Sequence, residues 1–273
     1  ACLVGSEMCI RDRCYTFLLV ASDQASANAD TIMVLTYDTA EQMAGLVSIP
    51  RDTLVDRRFP KINAVYHDGI EALRGEVSRM LGIPIDYYIC VDVDGFVQVV
   101  DAVDGIDFDV PIHMAYDDPL QDLHIHFEPG MQHINGKEAL AICRLRKNSD
   151  GTMAYPDSDI GRTRTQQQLL AAIAKKLLAN PQKIFEYIDL WKQYVTTDLK
   201  AEHIAWFASS LLNFPLETAL SFETLPGDGT VKYKEIEWCY ELYPEEVLEI
   251  VNGMLNPYTK PLTGQDLNIF QVK

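Results

Sequence analysis

The sequence has 273 residues, 48% of them hydrophobic, and a mean hydropathy of −0.06, which is typical of a globular chain with one large domain or two modest ones. Its 23 basic and 40 acidic residues give a net charge of −17, which argues against nucleic-acid binding because neutralising phosphates requires a basic face. Cys14, Cys90, Cys143 and Cys239 lack the spacing of a thiolate metal site.

The N-terminal stretch LVGSEMCIRDR, residues 3–13, does not have the pattern of a signal peptide, because charged residues interrupt every apolar run. It resembles a translated sequencing-library adapter joined to a fragmented gene. We therefore exclude residues 1–13 from fold prediction and expect the native N-terminus to be missing. The lack of a secretory or membrane-spanning segment at this end then carries no information about cellular location.

The first half of the remaining chain predicts alternating strands and helices. Two β-branched runs, 31–38 and 44–50, predict neighbouring strands with a short polar connection. Apolar residues at helical spacing predict a helix over 69–82 that ends at a glycine. Residues 86–111 predict a strand, a short helix over 95–103 and a second strand that ends at Pro111.

The second half continues this alternation and then becomes more helical. Residues 134–147 predict a helix that runs into a strand, and 159–180 predict a long amphipathic helix. The alternation indicates an α/β fold with a mixed sheet covered on both faces. Residues 181–273 predict mainly helices, with one strand candidate at ALSFETLPG. No linker separates this part from the rest, so we predict a single domain over 14–273.

Four arginines lie at the predicted ends of elements, where α/β proteins bind ligands. Arg51 follows a strand, Arg144 and Arg146 lie two apart at the end of another, and Arg162 is in the first turn of the long helix. Guanidinium groups at these places favour a multiply charged anion such as a diphosphate. The alternative is that each arginine pairs with a surface carboxylate.

Two aspartates and two histidines are candidate metal ligands. Asp23 and Asp30 flank a polar loop and could bind a hard cation such as Mg²⁺ together with substrate phosphates, although each could equally be a turn or cap residue. His124 and His126 alternate in HIHF as metal ligands do, but no third ligand is near in sequence. We interpret HIHF as a solvent-facing edge strand.

A series of motifs in one order then resembles a known family. The motifs are SIPRDT, KINAVY, IPIDYYICVDVDGF, PGMQHINGKEAL, RLRK and DIGRTRTQQQ. They resemble the successive signatures of the LytR-CpsA-Psr family from about residue 15 to residue 178. The resemblance implies a three-layer α/β/α sandwich and a membrane-anchored, extracytoplasmic phosphotransferase. Such enzymes use Mg²⁺ to move a glycopolymer, such as teichoic acid or capsule, from an undecaprenyl diphosphate carrier to peptidoglycan.

The resemblance also implies roles for particular residues. Asp23 and Asp30 match the metal-binding carboxylates of the family. Its diphosphate-binding arginines are matched by Arg51, Arg144, Arg146 and Arg162, and the residues that complete the site at the start of the helix are matched by Asp159 and Gln166. Arg164, one residue before the position where many members have an arginine, is expected to contact substrate together with Gln166. Lys61 and Asn63 match the KIN motif, which we expect to contact substrate. We therefore expect the two aspartates and the four diphosphate-binding arginines to meet in one cleft.

Two positions depart from the family pattern. Many members have an arginine where this chain has Ala29, and many have an Arg-Gln pair where it has Thr165-Gln166. Asp159 or a metal-binding carboxylate is the expected base for the attacking sugar hydroxyl. A diphosphate hydrolase and a non-catalytic protein that binds the lipid carrier are alternatives, because both would need the same charged residues.

Overall fold

The computed structural model describes residues 13–23, 28–118, 123–156, 159–180, 183–212 and 214–272. Residues 1–12, which are nearly all of the predicted adapter segment, lie outside this range. The chain forms two compact units. One comprises Ala1–Cys90, Thr196–Leu199 and Glu217–Lys273, and the other comprises Val91–Val195 and Lys200–Leu216. The single domain over 14–273 stays a prediction.

The strands are β1 (Cys14–Asp23), β2 (Asn28–Asp38), β3 (Met43–Ile49), β4 (Tyr87–Asp92), β5 (Ile106–Val110), β6 (Met114–Asp118), β7 (Leu123–Phe127), β8 (Gly130–Ile134), β9 (Val195–Thr197), β10 (Leu220–Thr224), β11 (Gly227–Tyr233) and β12 (Ile236–Leu242). The helices are α1 (Ile62–Val65), α2 (Ile70–Leu81), α3 (Val93–Ala102), α4 (Gly136–Arg144), α5 (Asp159–Ala179), α6 (Ile184–Tyr194), α7 (Ala201–Ser210), α8 (Leu216–Ala219) and α9 (Pro244–Ile250). A 3₁₀ turn follows α1 at Tyr66–Asp68, and a π-helical turn follows α9 at Val251–Leu255.

A mixed sheet of six strands, in the order β10-β3-β2-β1-β4-β9, is the centre of the fold. β1 pairs with β2 and β2 with β3 in antiparallel fashion, while β10 runs parallel to β3. These strands form because their β-branched and aromatic residues pack well on a pleated surface. The predicted α/β fold with a central mixed sheet is confirmed, as are the neighbouring strands predicted at 31–38 and 44–50.

The first unit has its own core, which joins this sheet to α2 and to the C-terminal segment. Leu18, Val34 and Val47 from the strands are fully buried with Leu73 of α2 and Val251 near the C-terminus. Helix α2 ends as predicted at Gly82, whose φ of 68° is left-handed. A Cβ atom there would lie 2.5 Å from the carbonyl oxygen of Asp266, so the tail packs closely against this turn.

The second unit has a separate core among α3, α4, α5 and the two antiparallel pairs β5–β8 and β6–β7. Asn135 caps α4 by a capping box, in which its side chain accepts from the Glu138 N–H while the Glu138 carboxylate accepts from the Asn135 N–H. A Cβ atom at Gly136 would clash with the carbonyl oxygen of Val97, so the start of α4 packs tightly on α3. The predicted helices 95–103 and 159–180 are α3 and α5.

One sequence prediction is wrong and one element was missed. Residues 144–147 are not the end of a strand, because α4 continues through Ala141, Ile142 and Cys143 to Arg144 and the chain leaves it in extended form at Leu145. In the last third the predicted helices are present as α6, α7 and α9 and the strand candidate as β10, but the antiparallel hairpin of β11 and β12 was not predicted. Within the described ranges, no helix combines the length and the apolar character needed to cross a bilayer.

Candidate active site

A β-bulge shapes the end of the β1–β2 pair, where the two candidate metal ligands lie. Ala21 pairs with Thr31, but Ser22 pairs with Ala29, so Asp30 is an extra residue on β2. Bulges change the direction of side chains beside functional sites. The Asp30 side chain is 47% exposed. Asp23 is the last residue of β1, and its side chain is not in the part of the chain that the structure describes.

Arg51 lies opposite Asp30, which follows from the register of the next strand pair. Ile32 pairs with Ile49, and two further residues along each strand lead to Asp30 and Arg51. The Nη1 atom of Arg51 donates to Oδ1 of Asp30 at 2.6 Å. A predicted phosphate-binding arginine and a predicted metal-binding aspartate are thus brought together by the sheet.

Two more charged residues complete this group. The Asp52 carboxylate has Oδ2 3.8 Å from Arg51 Nε and Oδ1 3.0 Å from Lys61 Nζ. Lys61 also donates to the carbonyl oxygen of Trp238 at 3.0 Å. We call Asp30, Arg51, Asp52 and Lys61 the Arg51 cluster. Its two acidic and two basic side chains balance, so an anionic ligand would need further positive charge.

The backbone brings the SIPRDT and KIN motifs together. The N–H of Ile62 donates to the Thr53 carbonyl at 2.8 Å, and the N–H of Asn63 donates to the Arg51 carbonyl at 3.1 Å. Asn63 is 8% exposed, and its contact with substrate stays a prediction. Lys61 is therefore the residue of the KIN motif that lies in the charged group.

The turn after the KIN motif is attached to the same end of β1 and β2. His67 Nε2 lies 3.0 Å from Asn28 Oδ1, and Tyr66 Oη lies 3.1 Å from the Cys90 sulfur, which is 3.8 Å from Ser22 Oγ. Burial, with the Cys90 contact, raises the pKa of the Tyr66 hydroxyl. The hydroxyl therefore stays protonated near neutral pH.

The other predicted arginines lie around the junction of α4 and α5 in the second unit. Arg144 is the last residue of α4 and Arg146 follows it; both are exposed, whereas Leu145 between them is buried. Arg162 lies in the first turn of α5, as predicted, and is 7% exposed. Asp159 begins α5, but its side chain is not among those described.

Contacts to Cys143 tie the start of α5 to the end of α4. Gln166 Nε2 donates to the Cys143 carbonyl at 3.3 Å. Burial raises the pKa of the Cys143 thiol to about 12, while the positive charge of Arg162 acts in the opposite direction. Arg162 and Gln166 therefore lie near one end of α4. Arg164, between them in α5, is exposed.

The structure thus brings the predicted residues together in two groups, one in each unit. The Arg51 cluster contains Asp30, Arg51 and Lys61, and the α4–α5 junction contains Arg144, Arg146, Arg162 and Gln166. A single cleft for both groups stays a prediction from the sequence. Sequence reasoning missed Asp52, although its place beside Arg51 in SIPRDT was an available signal.

The fold and the Arg51 cluster define an α/β protein with a candidate anion site at the ends of its strands. The sequence matches the LytR_cpsA_psr family over residues 8–254, and the chain belongs to that family. The match spans both compact units and confirms the resemblance that the motifs indicated.

Curated relatives include two teichoic acid transferases. Polyisoprenyl-teichoic acid–peptidoglycan teichoic acid transferase TagV of Bacillus subtilis (strain 168) is 34% identical over 190 residues, which are 66% of this chain and 47% of TagV. TagU of Bacillus cereus (strain ATCC 14579) is 32% identical over 254 residues, which are 89% of this chain and 78% of TagU. The chain spans about half the length of the first curated relatives it matches, 47% and 52%.

Solved structures share this fold. The crystal structure of B. subtilis TagV has a TM-score of 0.75 and 25% identity, covering 88% of this chain and 95% of TagV. The structure of TagT bound to LI-WTA has a TM-score of 0.71 and 21% identity, covering 90% of this chain and 91% of TagT. This chain therefore has the same fold as these structures, one of which was solved with a bound ligand.

Proposed function

We propose that this protein is a phosphotransferase that moves a glycopolymer from a polyprenyl diphosphate carrier to peptidoglycan. The observation that carries the proposal is the Arg51 cluster, in which two family motifs and the bulge residue Asp30 supply charged side chains at the ends of neighbouring strands. The names of the relatives TagV and TagU support teichoic acid as the class of polymer and peptidoglycan as the acceptor.

The proposed reaction is a phosphoryl transfer. A peptidoglycan hydroxyl attacks the phosphorus that carries the polymer, and a new P–O bond forms. The P–O bond to the bridging oxygen of the diphosphate breaks, and polyprenyl monophosphate leaves. The hydroxyl proton passes to a carboxylate, for which Asp159 and the candidate metal ligands Asp23 and Asp30 are the candidates.

Arg51 has the chemistry to bind the phosphates. Its guanidinium offers several N–H donors in one plane, and the salt bridge to Asp30 orients it at the end of β2. Asp52 holds Lys61 beside it, which adds a second cation. Preorganised donors of this kind stabilise the negative charge that develops on phosphate oxygens in the transition state.

Mg²⁺ is part of the proposal. The half-exposed Asp30 carboxylate on the bulge is a hard oxygen ligand, and Mg²⁺ usually binds one or two carboxylates together with substrate phosphates. Asp23, at the end of the paired strand, is the second candidate ligand. When bound, Mg²⁺ would supply the positive charge that the balanced Arg51 cluster lacks.

Arg144, Arg146 and Arg162 are included as further phosphate-binding residues on the basis of their match to the family motifs, with Arg164 and Gln166 contacting substrate. Because the acceptor is peptidoglycan, we place the activity on the outer face of the cell membrane. We also propose that the protein is attached to this membrane.

The test is a transfer assay with a polyprenyl diphosphate-linked saccharide, Mg²⁺ and soluble peptidoglycan fragments. We expect a saccharide joined to peptidoglycan by a phosphodiester, together with an equal amount of polyprenyl phosphate, measured by mass spectrometry. Release of polyprenyl phosphate with water as the only acceptor would indicate a hydrolase. Binding of the lipid without product would indicate a non-catalytic carrier-binding protein, and either result would overturn the proposal.

A further inference from the structure

The hairpin of β6 and β7 in the second unit presents three potential metal ligands on one face. The strands are antiparallel, with Asp117 paired to His124 and Ala115 paired to His126. Met114 and Ile125 are fully buried in the core of the unit, so the hairpin has one apolar face. Because side chains alternate along a strand, Asp117, His124 and His126 share the opposite, solvent-facing side. The interpretation of HIHF as a solvent-facing strand is correct.

The two imidazole rings converge on a single carboxylate oxygen. His124 Nδ1 lies 2.5 Å from Asp117 Oδ1, and His126 Nε2 lies 3.0 Å from the same atom. The three ligand atoms all lie within 4.8 Å of one another. Ligand atoms around a tetrahedral Zn²⁺ are separated by about 3.3 Å. Small side-chain rotations would therefore bring the three atoms to coordinating positions.

The backbone beneath this group is held from both sides. On its outer edge β6 is bonded to the loop after α4, where Ala115 N–H donates to Asn148 Oδ1 at 3.0 Å and Asp117 N–H donates to Ser149 Oγ at 2.8 Å. The side chain opposite His126 is only the methyl group of Ala115. The ligand-bearing strands are thus fixed while the ligands stay accessible.

Other exposed histidines in this unit make simpler contacts. His133 Nδ1 lies 2.8 Å from Asp107, and His113 Nδ1 lies 3.1 Å from Glu128, each pair joining one ring to one carboxylate. Among the described residues, the Asp117 group is the one in which three ligand side chains converge. In an ordinary surface ion pair one imidazole contacts one carboxylate, whereas two imidazoles contact the same oxygen of Asp117.

We propose that Asp117, His124 and His126 form a binding site for a divalent transition-metal ion of the Zn²⁺ class. Two imidazole nitrogens and one carboxylate oxygen suit Zn²⁺, Cu²⁺ or Ni²⁺, whereas Mg²⁺ prefers oxygen ligands alone. Water completes the coordination. This site uses none of the residues assigned to phosphate binding and is independent of the proposed transferase activity. Zn²⁺ bound here would join β6 to β7.

The test is equilibrium dialysis of the full chain against Zn²⁺, with His124→Ala and His126→Ala as variants. We expect the wild-type protein to hold a Zn²⁺ ion that each variant binds at least about 10-fold more weakly, since removal even of groups that only orient ligands typically costs about 10- to 100-fold in affinity. His133→Ala is the matched control, because His133 is also exposed and paired with an aspartate, and it should bind like the wild type.

Electron paramagnetic resonance with Cu²⁺ gives an independent readout. The wild type should show coupling to two imidazole nitrogens, and each histidine variant should show one fewer. No Zn²⁺ binding by the folded wild-type chain, or the same loss in His133→Ala as in the two ligand variants, would overturn the proposal.

Discussion

Arg51 and Arg57 form a natural comparison at the scale of single residues. Both are partly buried arginines of the first unit in ion pairs, Arg51 with Asp30 and Arg57 with Asp68 and Glu76. Only Arg51 is at the end of a strand beside a candidate metal ligand. We expect Arg51→Ala to lower kcat/KM by about 100- to 1000-fold, the usual effect of removing one preorganised donor.

The same change should alter the free energy of unfolding by at most about 1 kcal/mol, because partly exposed ion pairs contribute little to stability. Arg57→Ala is the control and should keep near wild-type turnover. Steady-state kinetics and urea unfolding of both variants measure these effects. Equal losses of activity in the two variants would show that Arg51 has no special role.

Asp52 is expected to act by positioning Arg51 and Lys61. Replacing it with asparagine removes the charge that holds Lys61 Nζ at 3.0 Å. We expect Asp52→Asn to lower kcat/KM by about 10-fold or more, as charge-assisted hydrogen bonds are worth about 1.5–3 kcal/mol. In a double-mutant cycle with Lys61→Met, the double variant should lose little more than the worse single variant. Additive losses would contradict this coupling.

Cys143 gives a prediction about pH. Although the residue is only half-buried, its thiol pKa of about 12 means that it stays protonated at pH 8. Far less of this thiol is ionised at that pH than of a free cysteine, of which about a quarter is ionised. Iodoacetamide should therefore label Cys143 slowly in the native protein and rapidly after denaturation, as mass spectrometry can measure. Rapid native labelling would contradict the raised pKa of this thiol.

At the scale of residues, sequence reasoning found residues that lie in recognisable patterns. It missed residues that become neighbours only through strand pairing. Arg51 and Lys61 were predicted because they lie in motifs, and Asp30 because it flanks a polar loop before a strand. Asp117 was missed as a neighbour of His124 because the two are seven positions apart in the sequence, and only the pairing of β6 with β7 makes them adjacent.

At the scale of elements, the capping box of α4 is expected to stabilise the helix that carries Arg144. Asn135→Ala removes the acceptor for the Glu138 N–H and should lower the free energy of unfolding by about 1 kcal/mol. Asn135→Asp retains a capping oxygen and is the control. Urea denaturation of the two variants makes the comparison, and equal stability of both would show that the cap is not needed.

The elements that were predicted correctly have strong periodic patterns, as in β2, β3, α2 and α5. The hairpin β11–β12 was missed because its turn uses Lys234 and Glu235 at positive φ, 48° and 62°, instead of the Asn-Gly or Asp-Gly pair that signals such turns. The strand predicted at the end of residues 134–147 was wrong because α4 continues to Arg144, so the alternation in ICRLR begins inside a helix.

At the scale of the whole molecule, the first unit depends on the C-terminal segment. β10 is the edge strand beside β3, and the segment after it contributes fully buried core residues such as Leu225, Val247 and Val251. In a chain ended before Glu217 the first unit should therefore fail to fold, since each deleted core side chain costs about 2–5 kcal/mol. Amide hydrogen exchange of β1, β2 and β3 beside the full chain tests this, and native-like protection of these strands in the shortened chain would contradict it.

The sequence predicted the α/β class and the motif order at this scale, because both depend on local patterns. It also predicts that Asp23, Asp30 and the four arginines serve one ligand, which depends on how distant segments meet. Periodicity and spacing carry no information on such distances, so this prediction rests on the family match.

A crystal structure of the protein with a polyprenyl diphosphate and Mg²⁺ tests the central claim most directly. We predict diphosphate oxygens at about 2.7–2.9 Å from the guanidinium nitrogens of Arg51. Arg144, Arg146 and Arg162 should contact the same diphosphate, and Mg²⁺ should be bound by Asp30. A diphosphate bound elsewhere on the protein, without Arg51, would contradict the account.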